Sequence, residues 1–379
     1  MNTHRLQLLR WALLVGTAVW LVPVGAQPPP QEPDQGAPST QAAGLRDRAG
    51  GGAHLSLFAP YAAAPGRPDW APLEMLWGRR EWREPLVQRL QQDDPVERGR
   101  AALALGLIGA QRAREPLAAA LRDQDAAVRR EAALALCYLG DQRGEAGAVR
   151  VLGEGEVWQR YLALVGLWRL YSPDTRAVLD ALQPEQGSFL RALLPQALRS
   201  APWRPLPPYP SRAEETPAAA PGDGLWEQIA DELVLTSDYW WHRGDYDQCC
   251  VLLEASLFFS PHRMETYDDV AWLQWSLGRG RRAVQVLEQG IAANPDSWQA
   301  HFNLGFHYFN TKRYAQALPY LKYAAEHTET WWVPLHTYAH DLEALGKREE
   351  ARQVWEEAVR RFPQDVTARR NLDRVKATK

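Results

Sequence analysis

His336 and His340 stand four residues apart, the spacing that sets two imidazoles on one helix face and can hold a metal. Glu343 or Asp341 would supply the third ligand. No glutamate follows His336 directly, so the zinc-protease arrangement is missing, and histidines at this spacing are more often plain polar surface. His301 and His307 make no stronger case. Cys249 and Cys250 are adjacent and bridge only with strain; with Cys137 they are the three cysteines of 379 residues. They read as small buried residues rather than a redox pair. A G-x-S-x-G elbow, a phosphate-binding Gly-rich loop and a C-x-x-C pair are all missing. The acidic residues lie mostly at helix starts and on polar faces, where capping and the helix dipole account for them. The expectation is therefore no enzyme, no cofactor and no metal. The residues left to explain are aromatic: 17 Trp and 13 Tyr against 8 Phe. Each is a large amphipathic surface that must be packed or used. Together with acidic residues they keep a glycan-binding or glycan-processing reading open as an alternative. Its mark would be two carboxyl groups facing each other across a cleft at about 5 to 9.5 Å.

The elements that must position these side chains follow from composition and repeats. The chain is 46% hydrophobic with a formal charge of -3 and a mean hydropathy of -0.42. That fits a globular chain and provides no positive field for nucleic acid. The arginines of 97–112 and 121–130 are mixed with Asp and Glu and read as solvated helix faces. Arg5 and Arg10, the mostly apolar run from Trp11 to Val24, and Val24-Gly25-Ala26 make residues 1–26 a cleavable export signal. A retained N-terminal anchor is the alternative, and no cysteine near the cut offers lipid attachment. No other segment approaches a membrane span. Export would place the protein in the periplasm or at the outer surface of a bacterium. Residues 27–43 are a Pro-rich disordered tether. Residues 44–83 hold LSLFAPY and WAPLEMLW, which would form capping helices or irregular structure. Residues 200–224 are a second Pro-rich stretch, read as a linker.

Between these lie two runs of repeats, and the expected fold is all-α, two α-solenoid segments in succession. Ala101 to Gly109 (AALALGLIG) returns as Ala132 to Gly140 (AALALCYLG) after 31 residues, with a weaker echo at Leu162 to Leu170. Shorter apolar helices precede each copy, from Pro85, Pro116 and Ala146, and Asp94-Pro95 and Asp123 to Asp125 mark the turns between. A helix pair cannot bury its apolar face alone, so such units must stack. This run resembles HEAT-type repeats and gives a solenoid over 84–199, with a degenerate last unit. Further on, Gly244, Gly278, Lys312 and Gly346 share a column at a spacing of 34. Cys249, Ala283, Ala317 and Ala351 make a second column, and Pro261, Pro295, Glu329 and Pro363 a third. Small residues at Ser237, Ala271, Gly305 and Ala339 mark where two helices cross closely. The pattern resembles the tetratricopeptide repeat: Leu304, Gly305, Tyr308, Tyr314, Ala317, Leu321 and Ala324 fall at that motif's consensus columns. Four units would fill 225–365, and the basic tail, 366–379, would be a capping helix.

The resemblance implies binding along the inner face made by the first helix of each unit. The inward columns would supply Trp241 and His242, then Asp268, Trp272 and Trp275, then Phe302, Phe306, Phe309 and Asn310, then His336, His340 and Glu343. Residues three or four apart share a helix face, so the expectation is an aromatic trough that grips a protein or peptide partner. Of the Lys/Asn set with which some tetratricopeptide domains clamp a terminal carboxylate, Asn310 alone stands in a suitable column. The trough filled by the chain's own segments, a homo-oligomer, and an envelope complex assembled through the N-terminal solenoid are the alternatives.

Overall fold

A computed structural model describes residues 76, 79–170, 173–181, 193–195 and 224–377 of the protein, and the regular elements among them are all helical. The export signal, the tether, most of 44–83 and all of the linker but Gly224 lie outside the described residues.

The N-terminal array runs α1 (Arg80–Arg89), α2 (Pro95–Leu107), α3 (Arg114–Ala120), α4 (Ala126–Tyr138), α5 (Glu145–Glu154), α6 (Val157–Leu170) and α7 (Pro173–Ala181). The first helix thus begins inside the region read as a cap, because Trp82 is a core residue of the array. Aspartates start the long helices: Asp94 accepts from the Val96 amide at 2.9 Å, and Asp125 from the Ala127 amide at 2.7 Å. Arg98, Arg129 and Arg160 recur every 31 residues. Arg98 donates to the Gln92 and Asp93 carbonyls at 2.8 Å each. Arg129 reaches the Asp123 and Gln124 carbonyls at 2.7 and 2.8 Å, and Arg160 the Gly155 carbonyl at 2.6 Å. These carbonyls follow helix ends and have no intrahelical partner. Two arginines read as solvated surface, Arg98 and Arg129, are therefore turn-closing residues. Close approach of the long helices needs glycine: a Cβ on Gly106 would sit 2.6 Å from the Ala135 Cα, and one on Gly166 2.8 Å from the Cys137 Cβ.

The C-terminal array pairs α8 (Leu225–Arg243) with α9 (Tyr246–Phe259), α10 (Met264–Ser276) with α11 (Gly280–Ala293), α12 (Trp298–Asn310) with α13 (Tyr314–His327), and α14 (Val333–Ala344) with α15 (Arg348–Arg361). A last helix, α16 (Val366–Ala377), closes it. The 34-residue column is a column of left-handed turns, with φ of 72° at Gly244, 78° at Gly278, 60° at Lys312 and 75° at Gly346. In the third turn the Lys312 amide donates to the Phe309 carbonyl at 2.9 Å and the Arg313 amide to the Tyr308 carbonyl at 2.8 Å. The other three turns repeat this pair of bonds.

The two arrays share one hydrophobic core. Helix α8 is 19 residues long against 13 in α10, and its extra turns carry the junction. Trp226 donates its indole N–H to Glu97 at 2.7 Å and stacks on Phe259 at 6.0 Å, with the Arg89 guanidinium 5.4 Å over its ring. Arg100 donates to the Phe258 carbonyl at 2.9 Å, and Trp158 packs against Phe258 at 5.3 Å. Arg282 of α11 pairs with Glu254 at 2.8 Å and reaches Glu156 of the first array at 3.4 Å.

Candidate partner-binding face

Helices α8, α10 and α12 bring most of the predicted trough together. Trp241 of α8 faces Trp272 of α10 with ring centroids 5.8 Å apart and meets Tyr246 edge-on at 5.3 Å. Trp275, one turn beyond Trp272, keeps 47% of its surface exposed. A tryptophan so exposed among packed neighbours is surface available for contact. Phe306 and Phe309 are half-buried and Asn310 is exposed. Phe302 is a core residue at 1% exposure, stacked on Phe306 at 5.4 Å and edge-on to Trp331 at 5.4 Å; it supports the face without lining it. Phe309 leans on Tyr314 at 5.7 Å. His242 is held by its own helix, with Nδ1 2.8 Å from the Asp238 carbonyl and 3.4 Å from the Asp238 carboxylate.

Asp268 is the odd group in this face. It is half-buried and makes no hydrogen bond or ion pair to another described residue. Burial, with the charges of Asp269 and Glu265 adding to it, pushes its carboxyl up to about 7.

The fourth unit departs from the expectation of an open trough. His336 is 6% exposed, its Nε2 lies 2.6 Å from the Asp365 carboxylate, and its ring sits between Trp332 at 4.4 Å and Trp355 at 4.9 Å. Burial holds this imidazole below its usual range although Asp365 opposes the shift. Glu343 accepts from the Trp355 indole at 2.8 Å and from Arg374 at 2.8 Å. His340 packs edge-on against Trp355 at 5.0 Å, with Nδ1 3.8 Å from Glu343. The cause is the end of the stack. A terminal unit has no next unit to cover it, so α16 buries Ala368 and Leu372 there and brings in Asp365 and Arg374. His336, His340 and Glu343 therefore serve the cap.

His336 thus bonds the residue just ahead of α16 and His340 lies beside Glu343 of its own helix, and among the described residues no group of three or more His, Cys, Asp and Glu side chains could hold a metal. All three cysteines are buried and free; Cys249 donates to the Ser237 carbonyl at 3.2 Å where α8 and α9 cross. Trp331 and Trp332 escaped the sequence reading. Trp331 packs against Trp298 at 5.8 Å and Trp332 is 37% exposed, and the adjacent Trp pair just before α14 was the available signal. The arrangement offers flat aromatic surface and a carboxylate, which suits binding more than covalent chemistry.

Residues 83–160 match the HEAT repeats family, and residues 270–329 and 332–372 match two tetratricopeptide repeat families. No curated protein matches the chain. Among solved structures, MamA of Desulfovibrio magneticus RS-1 is 18% identical over 41% of this chain and 85% of that chain, with a TM-score of 0.33. A thermophilic TPR protein of Thermus thermophilus is 15% identical over 62% of this chain and 99% of its own, at 0.32. Yeast Tom70 is 11% identical over 89% and 74%, at 0.35. The chain carries HEAT-like repeats in its N-terminal part and tetratricopeptide repeats in its C-terminal part.

Proposed function

We propose that the protein is an exported scaffold or adaptor that holds a protein or peptide partner along the inner face of its first three tetratricopeptide units. Stacked helical repeats generally serve protein–protein interaction through extended concave surfaces. The observation that carries the reading is Trp275, nearly half exposed beside the packed Trp241–Trp272 pair. Rigid aromatics gain contact area at little entropic cost. In the fourth unit α16 engages His336 and Glu343, so the reading rests on α8, α10 and α12. Export is the part of the proposal that rests on the positive-then-apolar start of the sequence and its small residues at Gly25 and Ala26.

Replacing Trp275 with Ala removes exposed surface and little packing. We expect the variant to keep the helical circular dichroism of the parent and to lose at least tenfold in affinity for a partner captured by the parent chain. Full retention of that partner by the variant rules out this face. Sequencing the N-terminus of the protein from its native cell checks export; a chain that still begins at Met1 and stays with the cytoplasm contradicts it.

A further inference from the structure

We infer that the second tetratricopeptide unit recognises a basic side chain, Lys or Arg, on an extended peptide, seating the cation over the Trp272 and Trp275 rings against the Asp268 carboxylate. This deepens the proposal above and rests on its reading of the inner face as a peptide site. Asp268, Trp272 and Trp275 are four and seven residues apart on α10, so they lie on one face of that helix over about two turns.

The charge in this face is uncompensated. Asp268 has no hydrogen bond or ion pair to a described residue. Three arginines around α10 are committed elsewhere: Arg263 to Glu227 and Asp231, Arg279 to Asp247, and Arg282 to Glu254. The inward columns named for the first three units contain no Lys or Arg. One column of the stack shows what such a site does when it is filled. His336 stands 68 residues, two repeats, after Asp268. There the chain itself brings a polar partner, the Asp365 carboxylate, to 2.6 Å from the ring. At Asp268 that half is absent, and a cation from outside the chain would complete it.

The rings make the same selection. Indole faces are the strongest aromatic partners for a cation, more so when the site is partly dry. Burial and like charges hold the Asp268 carboxyl up at about 7, and the attraction of an arriving cation favours its charged form and offsets that cost. An acidic peptide meets the opposite: its carboxylates would face Asp268 with no cation among the inward columns to receive them.

The test pans a random dodecapeptide phage library on the full chain and measures the selected peptides by fluorescence anisotropy against the parent, Asp268→Asn and Trp275→Ala. Selected sequences should be rich in Lys or Arg. Replacing the basic residue of a selected peptide with norleucine, or Asp268 with Asn, should each cost about tenfold in affinity. The two changes together should cost little more than either, the mark of a direct pair. Asparagine keeps the shape of aspartate, and circular dichroism checks the fold of the variant. Loss of binding in Trp275→Ala with no loss in Asp268→Asn overturns the cation site and leaves the peptide face standing. Equal binding by all three chains overturns both. Selected peptides without basic residues, or a neutral oligosaccharide that binds the parent and displaces them, overturn the cation site.

Discussion

Lys312 is, among the described residues, the one position with positive φ that is not glycine. It occupies the turn column where the other three units carry Gly244, Gly278 and Gly346, and its φ of 60° places a Cβ where L-residues are strained. Lys312→Gly should therefore raise stability by up to about 1 kcal/mol, part of the gain being offset by the freer unfolded chain. Gly278→Ala should lower it by a similar amount. Urea midpoints measure both, and a Lys312→Gly midpoint at or below the parent's would mean the turn is not strained. Asp341 is a second residue with a stored cost. It is fully buried, neither carboxylate oxygen has a hydrogen-bond partner, and desolvation pushes its carboxyl up to about 7. An unfolded aspartate titrates near 3.9, so the folded state binds the extra proton in between. Its stabilisation is full below the unfolded value and is lost as pH rises through about 7. Asp341→Asn should therefore gain on the parent as pH goes from 5 to 8, by about 2.6 kcal/mol. A constant gap between the two chains across that range would show that Asp341 does not titrate there.

At the scale of the element, α16 decides where the stack of repeats ends. It covers the last unit, pairs Asp365 with His336 and Arg374 with Glu343, and buries Leu372. Removing residues 365–379 would uncover Trp355, Leu335 and Ala339, which belong to a small terminal core. We expect that truncation to unfold α14 and α15 first, seen as lost amide protection over 333–361 while α10 and α12 stay protected. Unchanged protection there would mean α16 is dispensable to the stack. The turn-closing arginines act at the same scale. Arg129→Ala leaves the Asp123 and Gln124 carbonyls to water, and a cost of about 1 kcal/mol in the urea midpoint is expected. The regularity of these devices is why the fold was legible in the sequence. Each 31- or 34-residue copy restates the same local needs, a left-handed turn and a small residue at a crossing, so the columns could be read without coordinates.

Over the whole molecule, the consequential contact is Trp226, which joins residues 129 positions apart by its bond to Glu97. With Arg89 over its ring and Phe259 beneath, it locks the two arrays into one body. Trp226→Ala should cost about 3 kcal/mol, at the low end for a tryptophan because the residue is only half-buried. The parent should unfold in one transition and the variant in two, followed by calorimetry; a single sharp transition in both would place the coupling elsewhere. A small apolar cavity of about 30 Å³ lies along the same junction, lined on one side by Leu107 and Tyr161 and on the other by Leu233 and Ala255.

By itself the sequence determined the helical class, the two repeat lengths, the turn and crossing columns, and the aromatic content of the inner face. All of these are local or recur at a fixed period, so neighbouring copies confirm each other. Which aromatics stay open was a tertiary matter. Phe302 and Trp275 look alike as inward-column residues, yet one is core and the other is nearly half exposed. Trp331, outside the helix, packs edge-on against Phe302. His336 and His340 likewise read as a free pair until α16 folds back on them. Whether a side chain is spent inside the chain or left for a partner depends on what lies across from it, and that neighbour stands at no fixed distance along the chain.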